Sequence, residues 1–81
     1  MKTNQTKLNR TNALIIRAMA ENRLRAHTAA KALHYSRTNV DYHVARIRKL
    51  TGKDPRDFFD MIELLKMADE ILAQEEEAAP C

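Results

Sequence analysis

The sequence predicts an all-α domain, four helices around one core, and three observations lead there. The 81 residues include one Gly and two Pro, and the strong helix formers Ala, Leu, Arg, Lys and Glu dominate. Apolar residues recur at three- and four-residue steps in successive segments. Between those segments stand residues that start or stop helices. A chain this short buries only about 60% of its unfolded surface, so its core is marginal. The single cysteine, Cys81, excludes an intrachain disulfide. Tight helix packing or a partner chain must therefore compensate. No apolar run approaches the roughly 20 residues of a membrane span, and no signal peptide opens the sequence, so a cytoplasmic location is expected.

Residues 1–8 are polar up to Leu8 and read as a flexible basic arm carrying Lys2 and Lys7. The domain proper is expected over 9–74. Asn9 or Thr11 can cap a first helix that runs to about Asn22, with Leu14, Ile15, Ala18 and Met19 on one face. After the link Arg23-Leu24-Arg25, a second helix covers about His27 to Leu33, turning Ala26, Ala29, Ala30 and Leu33 inward. Ser36 reads as the N-cap of a third helix, in which Val40, Val44, Ile47 and Leu50 follow at steps of four, three and three. Gly52 is the left-handed stop. Asp54 as cap and Pro55 in the first helical position start a fourth helix over about 55–74, leaving 75–81 as a frayed acidic tail.

Charge is segregated along the chain. Residues 1–56 carry 13 Lys/Arg against three acids, a net of +10, while residues 57–81 carry one base, Lys66, against eight acids, a net of −7. A basic segment of this size points to a polyanion partner, and the acidic remainder to a different role.

The second and third helices have helix-turn-helix spacing. Two helices crossing steeply need a small residue where their backbones meet, which Ala30 supplies, and Leu33, Val40 and Val44 form the plug between them. The turn position that favours Gly holds His34, where a left-handed backbone costs roughly 1 kcal/mol. Residues from about Asn12 to Met67 resemble the C-terminal DNA-binding domain of the PucR/CdaR group of bacterial regulators of purine and sugar-diacid catabolism. The likeness is carried by Ala30, Ala32-Leu33-His34, Arg37, Val40, Tyr42 and Arg46-Ile47. It continues in Leu50-Thr51-Gly52, Asp54, Asp57 and the Leu-rich fourth helix. The resemblance implies double-stranded DNA binding by a central helix-turn-helix. Asp41 and His43 stand where that group carries arginine, so its base preference does not transfer directly.

In such a unit the start of the third helix enters the major groove. Arg37 is the base reader, its fork matching guanine O6 and N7, and Thr38 and Asn39 read a base or fix a phosphate. Ser36 and Asp41 complete this group. Tyr42 either bonds a phosphate or packs over the turn. Arg46, Arg48 and Lys49 flank the DNA backbone or complement the helix dipole, and Arg10 extends the basic arm. His27, His34 and His43 do not share one helix face, so no metal site is expected. No nucleophile with a base and no Gly-rich phosphate loop occurs, so neither catalysis nor a cofactor is expected.

The fourth helix carries a wide apolar surface: Phe58, Met61, Ile62, Leu65, Ala68 and Leu72 form one stripe, extended by Phe59, Leu64, Met67 and Ile71. One stripe about 100° wide would cover a core. The excess predicts a homodimer through the first six residues, the alternative being that the extra residues cover the first helix. The reading that results is a small dimeric bacterial transcriptional regulator. Its alternatives are an architectural or mobile-element accessory DNA-binding protein, and an adaptor that binds a protein partner through the acidic helix.

Overall fold

The computed structural model describes residues 8–78, which form four helices: α1 (Arg10–Glu21), α2 (Ala26–Leu33), α3 (Arg37–Thr51) and α4 (Phe58–Ala78). Among the described residues no strand occurs, and the all-α, four-helix class is the observed one. Lys2, Lys7 and Cys81 lie outside the described residues. Leu8 does not belong to an arm: its side chain is buried in the core.

Asn9 caps α1 in a reciprocal box. Its side chain accepts from the Asn12 backbone N–H at 2.8 Å, and Asn12 Oδ1 accepts from the Asn9 N–H at 3.1 Å. The helix buries more than the single face expected. Asn12, Ala13, Ile15, Ile16, Ala18 and Met19 are all buried, and only Arg10, Arg17 and Glu21 are exposed. The cause is topological: α1 packs against α2, α3 and α4, whereas α4 touches no helix but α1.

Two non-glycine turns hold the helix-turn-helix unit. After α1, Arg23 and Leu24 both take left-handed φ, 59° and 62°. The Leu24 N–H reaches back to the Met19 carbonyl at 2.7 Å, closing the helix as a Schellman motif does. After α2, His34 is left-handed (φ 62°, ψ 35°), and the Tyr35 N–H donates to the Ala30 carbonyl at 2.9 Å. Ala30 on α2 is buried in one core cluster with Val40 and Val44 of α3.

The α3–α4 junction corrects the expected helix start. Gly52 ends α3 at φ 76°, and Thr51 Oγ1 donates to the Ile47 carbonyl at 2.7 Å while accepting from the Lys53 N–H at 3.0 Å. Asp54 does not cap α4. Its carboxylate accepts from the Arg56 N–H at 2.9 Å and its carbonyl from the Asp57 N–H, forming a turn whose Pro55 is buried. Asp57 caps instead, accepting from the Asp60 N–H at 2.9 Å, so α4 begins at Phe58. The helix then continues through Glu75–Glu77 to Ala78, past the expected end at 74.

The dimerisation stripe is also corrected. Met61, Ala68 and Leu72, with Leu64, are buried in this chain's own core, because their spacing lays them along α1. Leu65 is half-buried, and Phe58, Phe59 and Ile62 are exposed.

The backbone angles give a prediction. A Cβ added to Gly52 would meet nothing within 4 Å. Gly52→Ala should therefore lose only the left-handed backbone term, about 1 kcal/mol. His34→Gly should gain roughly 0.5–1 kcal/mol by relieving the same strain, net of added unfolded-state entropy. Thermal melting should move a few degrees down and up respectively; a melting point for His34→Gly at or below wild type would contradict this.

Candidate nucleic-acid interface

The candidate site is the outer face of α3. The inner face, Val40, Val44 and Ile47, is buried, and these residues fix the rotation of the helix. Thr38, Tyr42, Ala45 and Lys49, at steps of four, three and four, are consequently exposed in one line. Tyr42 is 58% exposed, and its ring meets the neighbouring His43 ring edge to face at 5.2 Å. Ala45 makes the middle of the line shallow. Sequence reasoning missed it, although the 38-42-45-49 spacing carries the signal.

At the start of α3, Ser36 Oγ accepts from the Asn39 N–H at 3.0 Å, capping the helix. One turn on, Arg37 Nε donates to Asp41 Oδ1 at 3.1 Å. Both side chains are about half exposed, so the pair adds little stability, about 0.2–0.5 kcal/mol. Its effect is orientational. Holding Nε leaves both terminal amino groups of the guanidinium to act as the planar fork. Arg46 and Lys49 are exposed farther along, whereas Arg48 turns to Asp54 at 3.9 Å, which Arg56 also approaches at 3.8 Å. The structure therefore brings Ser36, Arg37, Thr38, Asn39, Asp41, Tyr42, Arg46 and Lys49 onto one helix and its cap, with Asn39 half-buried.

His43 is not on this face. It is half-buried against α1, where Asn12 Nδ2 lies 3.2 Å from His43 Nδ1. The proton positions follow from the capping box. Asn12 Oδ1 is committed to the Asn9 N–H, so the amide presents its NH₂ group to the imidazole. His43 Nδ1 must then accept, which requires the neutral ring protonated at Nε2. Burial, and secondarily the positive charge of Arg46, lower the His43 pKa from its ordinary value. This link between α1 and α3 was not legible in the sequence, because Asn12 and His43 are 31 residues apart. The other two histidines stand elsewhere: His34 in the α2–α3 turn and His27 at the exposed start of α2. That start is built without a side-chain cap, Arg25 preceding it.

The acids of α4 are kept clear of this face. α4 packs only on α1 and does not touch α3. The acidic helix thus stands apart from α3, although it packs on α1, which belongs to the basic part of the sequence.

An α2–turn–α3 unit with a small residue at the crossing and a polar, basic outer face on the second helix is a helix-turn-helix. Residues 14–67, two-thirds of the chain, match the family described as the PucR C-terminal helix-turn-helix domain. The chain belongs to that family. The match begins inside α1, covers the whole helix-turn-helix and ends midway along α4. No curated protein and no solved structure matches significantly. Membership and fold together assign the PucR-type domain a DNA-binding, regulatory role in general terms. Among the described residues, no helix is long and apolar enough to cross a membrane.

The burial of His43 beside Arg46 sets a pH dependence. His43 has its pKa lowered on folding, so the unfolded chain takes up the proton more readily. Stability is then constant above about pH 6.5, the ordinary imidazole value, and falls as pH drops below it until the folded-state pKa is passed. Urea midpoints at neutral and acidic pH should show this loss. His43→Gln, which cannot titrate, should lack the same component of it. An identical acid loss in both proteins would refute the assignment.

Proposed function

We propose that the chain is a sequence-specific double-stranded DNA-binding protein acting as a small homodimeric transcriptional regulator in the bacterial cytoplasm, with α3 as its recognition helix. The observation that carries this reading is the Arg37–Asp41 pair at the exposed start of α3. Arg37 donates through its terminal nitrogens to guanine O6 and N7 in the major groove, and Asp41 aims it. Thr38 and Asn39 contact neighbouring base edges or phosphates. Ser36 keeps its hydroxyl proton for a phosphate oxygen while its oxygen caps the helix. The phenol of Tyr42 and the cations of Arg46 and Lys49 meet the DNA backbone on either side. Ala45 lets the helix sit deep in the groove.

Asp41 argues against an architectural role. A carboxylate among phosphates lowers affinity for every sequence, which is useful only where discrimination outweighs affinity. A regulator competing against an excess of random sites works in that regime. Selection of bound sequences from a random DNA pool at fixed salt tests the reading. Recovery of a palindrome is expected, and recovery of no preferred sequence would overturn it.

Substitutions separate the roles within the site. Arg37→Ala should cost roughly 1–3 kcal/mol on the preferred site and relax preference at one base position. Lys49→Ala should weaken all sequences equally and reduce the salt slope by about one. Asp41→Asn should tighten binding to random DNA more than to the preferred site. Titrations of both DNAs at one salt concentration check this, and equal tightening would reduce Asp41 to simple repulsion.

A further inference from the structure

One ring nitrogen of His43 faces α1, and the other faces outward. Nδ1 lies 3.2 Å from Asn12 Nδ2. The two nitrogens of an imidazole point nearly opposite ways, so Nε2 is turned away from α1. Nε2 has no hydrogen-bond partner among the described residues, and no buried side-chain nitrogen or oxygen there is left without one. Nε2 therefore reaches solvent. Because Asn12 obliges Nδ1 to accept, Nε2 carries the proton. The half-buried ring thus presents a neutral N–H donor outward, braced by the Tyr42 ring edge to face at 5.2 Å.

That donor stands beside an uncommitted cation. Successive helix residues turn by about 100°. His43, Arg46 and Tyr42 therefore follow one another round α3 from the buried inner line to the exposed outer one. Arg46 is exposed, lies about one turn on from His43, and makes no ion pair among the described residues. Its charge is near enough to act on the His43 ring. A neutral N–H and a guanidinium on one edge suit an anionic oxygen. When the outer line enters a groove, such an edge meets the phosphates that border it and not the bases.

We propose that His43 is a further DNA-backbone contact: its Nε2–H donates to the phosphate that Arg46 neutralises, and Asn12 on α1 is the positioning residue that fixes the donor. The inference rests on the reading of α3 as a recognition helix and adds a phosphate seat to it. α1 thereby acts on the interface through one hydrogen bond. A neutral donor releases no counterion, so its contribution persists as salt rises, unlike that of Arg46.

The test is titration of the full chain with a mixed-sequence duplex a few helical turns long, since a backbone contact acts on every sequence. The pH is held above the range in which imidazole titrates. His43→Phe should weaken binding about tenfold, the worth of one hydrogen bond to a charged acceptor, with the salt slope unchanged. Arg46→Gln should reduce that slope by about one. His43→Gln, whose amide can accept from Asn12 and donate outward, should recover part of the loss. NMR of the wild-type imidazole should find the Nε2–H tautomer in the free protein, and slower solvent exchange of that proton with duplex bound. Asn12→Asp keeps an oxygen for the Asn9 N–H but removes the amide donor. It should shift the ring toward the Nδ1–H tautomer, and it should cost less affinity in the His43→Phe background than in wild type. Equal costs in the two backgrounds would overturn the role of Asn12. An Nδ1–H tautomer in the wild type, or His43→Phe binding as tightly as wild type, would overturn the proposal and leave the DNA-binding reading intact. A wild type that fails to bind the duplex even at low salt would overturn both.

Discussion

The fold depends on α1 being enclosed. Three helices pack against this one element, and α4 has no other helical neighbour. In a chain too small for a deep core, a central helix buried on most sides lets each apolar side chain contact more than one neighbour. Ile15, Ile16 and Met19 are fully buried there. Each contributes about 1.5–3 kcal/mol of transfer free energy, a large share of what such a domain retains after its ordering entropy.

Enclosure makes the polar residue in α1 consequential. Asn12 is buried and satisfied in two directions: by its box with Asn9 and by His43 on α3. A buried amide left without partners would cost about 1–3 kcal/mol, so this arrangement disfavours other rotations of α3 against α1. The start of α1 and the recognition helix are thereby connected. Val40, Val44 and Ile47 supply the adhesion, while Asn12 and His43 supply the directionality. The outer face, with Arg37, Asp41, Tyr42 and Lys49, stays exposed.

The same economy explains the turns. Three non-glycine residues, Arg23, Leu24 and His34, sit in left-handed conformations around α2, each costing about 1 kcal/mol. They persist because the carbonyls that they help satisfy end α1 and α2 where the helix-turn-helix crossing needs them. The α3–α4 junction uses side chains instead. Thr51, Asp54, Asp57 and Asp60 each accept from a backbone N–H there, turning the chain so that α4 reaches α1. The Leu50–Asp54 ending that carries part of the family likeness is thus a hydrogen-bonded corner.

The number and order of the helices, the Ser36 cap, the Gly52 stop, the Ala30 crossing and the split of charge were all readable along the chain, because each follows from local spacing or from one residue's backbone preference. The candidate site was legible for the same reason: Arg37 and Asp41 are one helical turn apart, and periodicity alone puts them together. Other features required the tertiary structure. Asp57 displaces Asp54 as the cap because the buried Pro55 turn intervenes. Leu8 leaves the arm for the core, and α4 divides its broad apolar surface between α1 and solvent. His43 turns inward to an amide 31 residues away. Sequence periodicity states which residues share a face of one helix. Only the packing of helices on one another decides which neighbour, if any, covers that face.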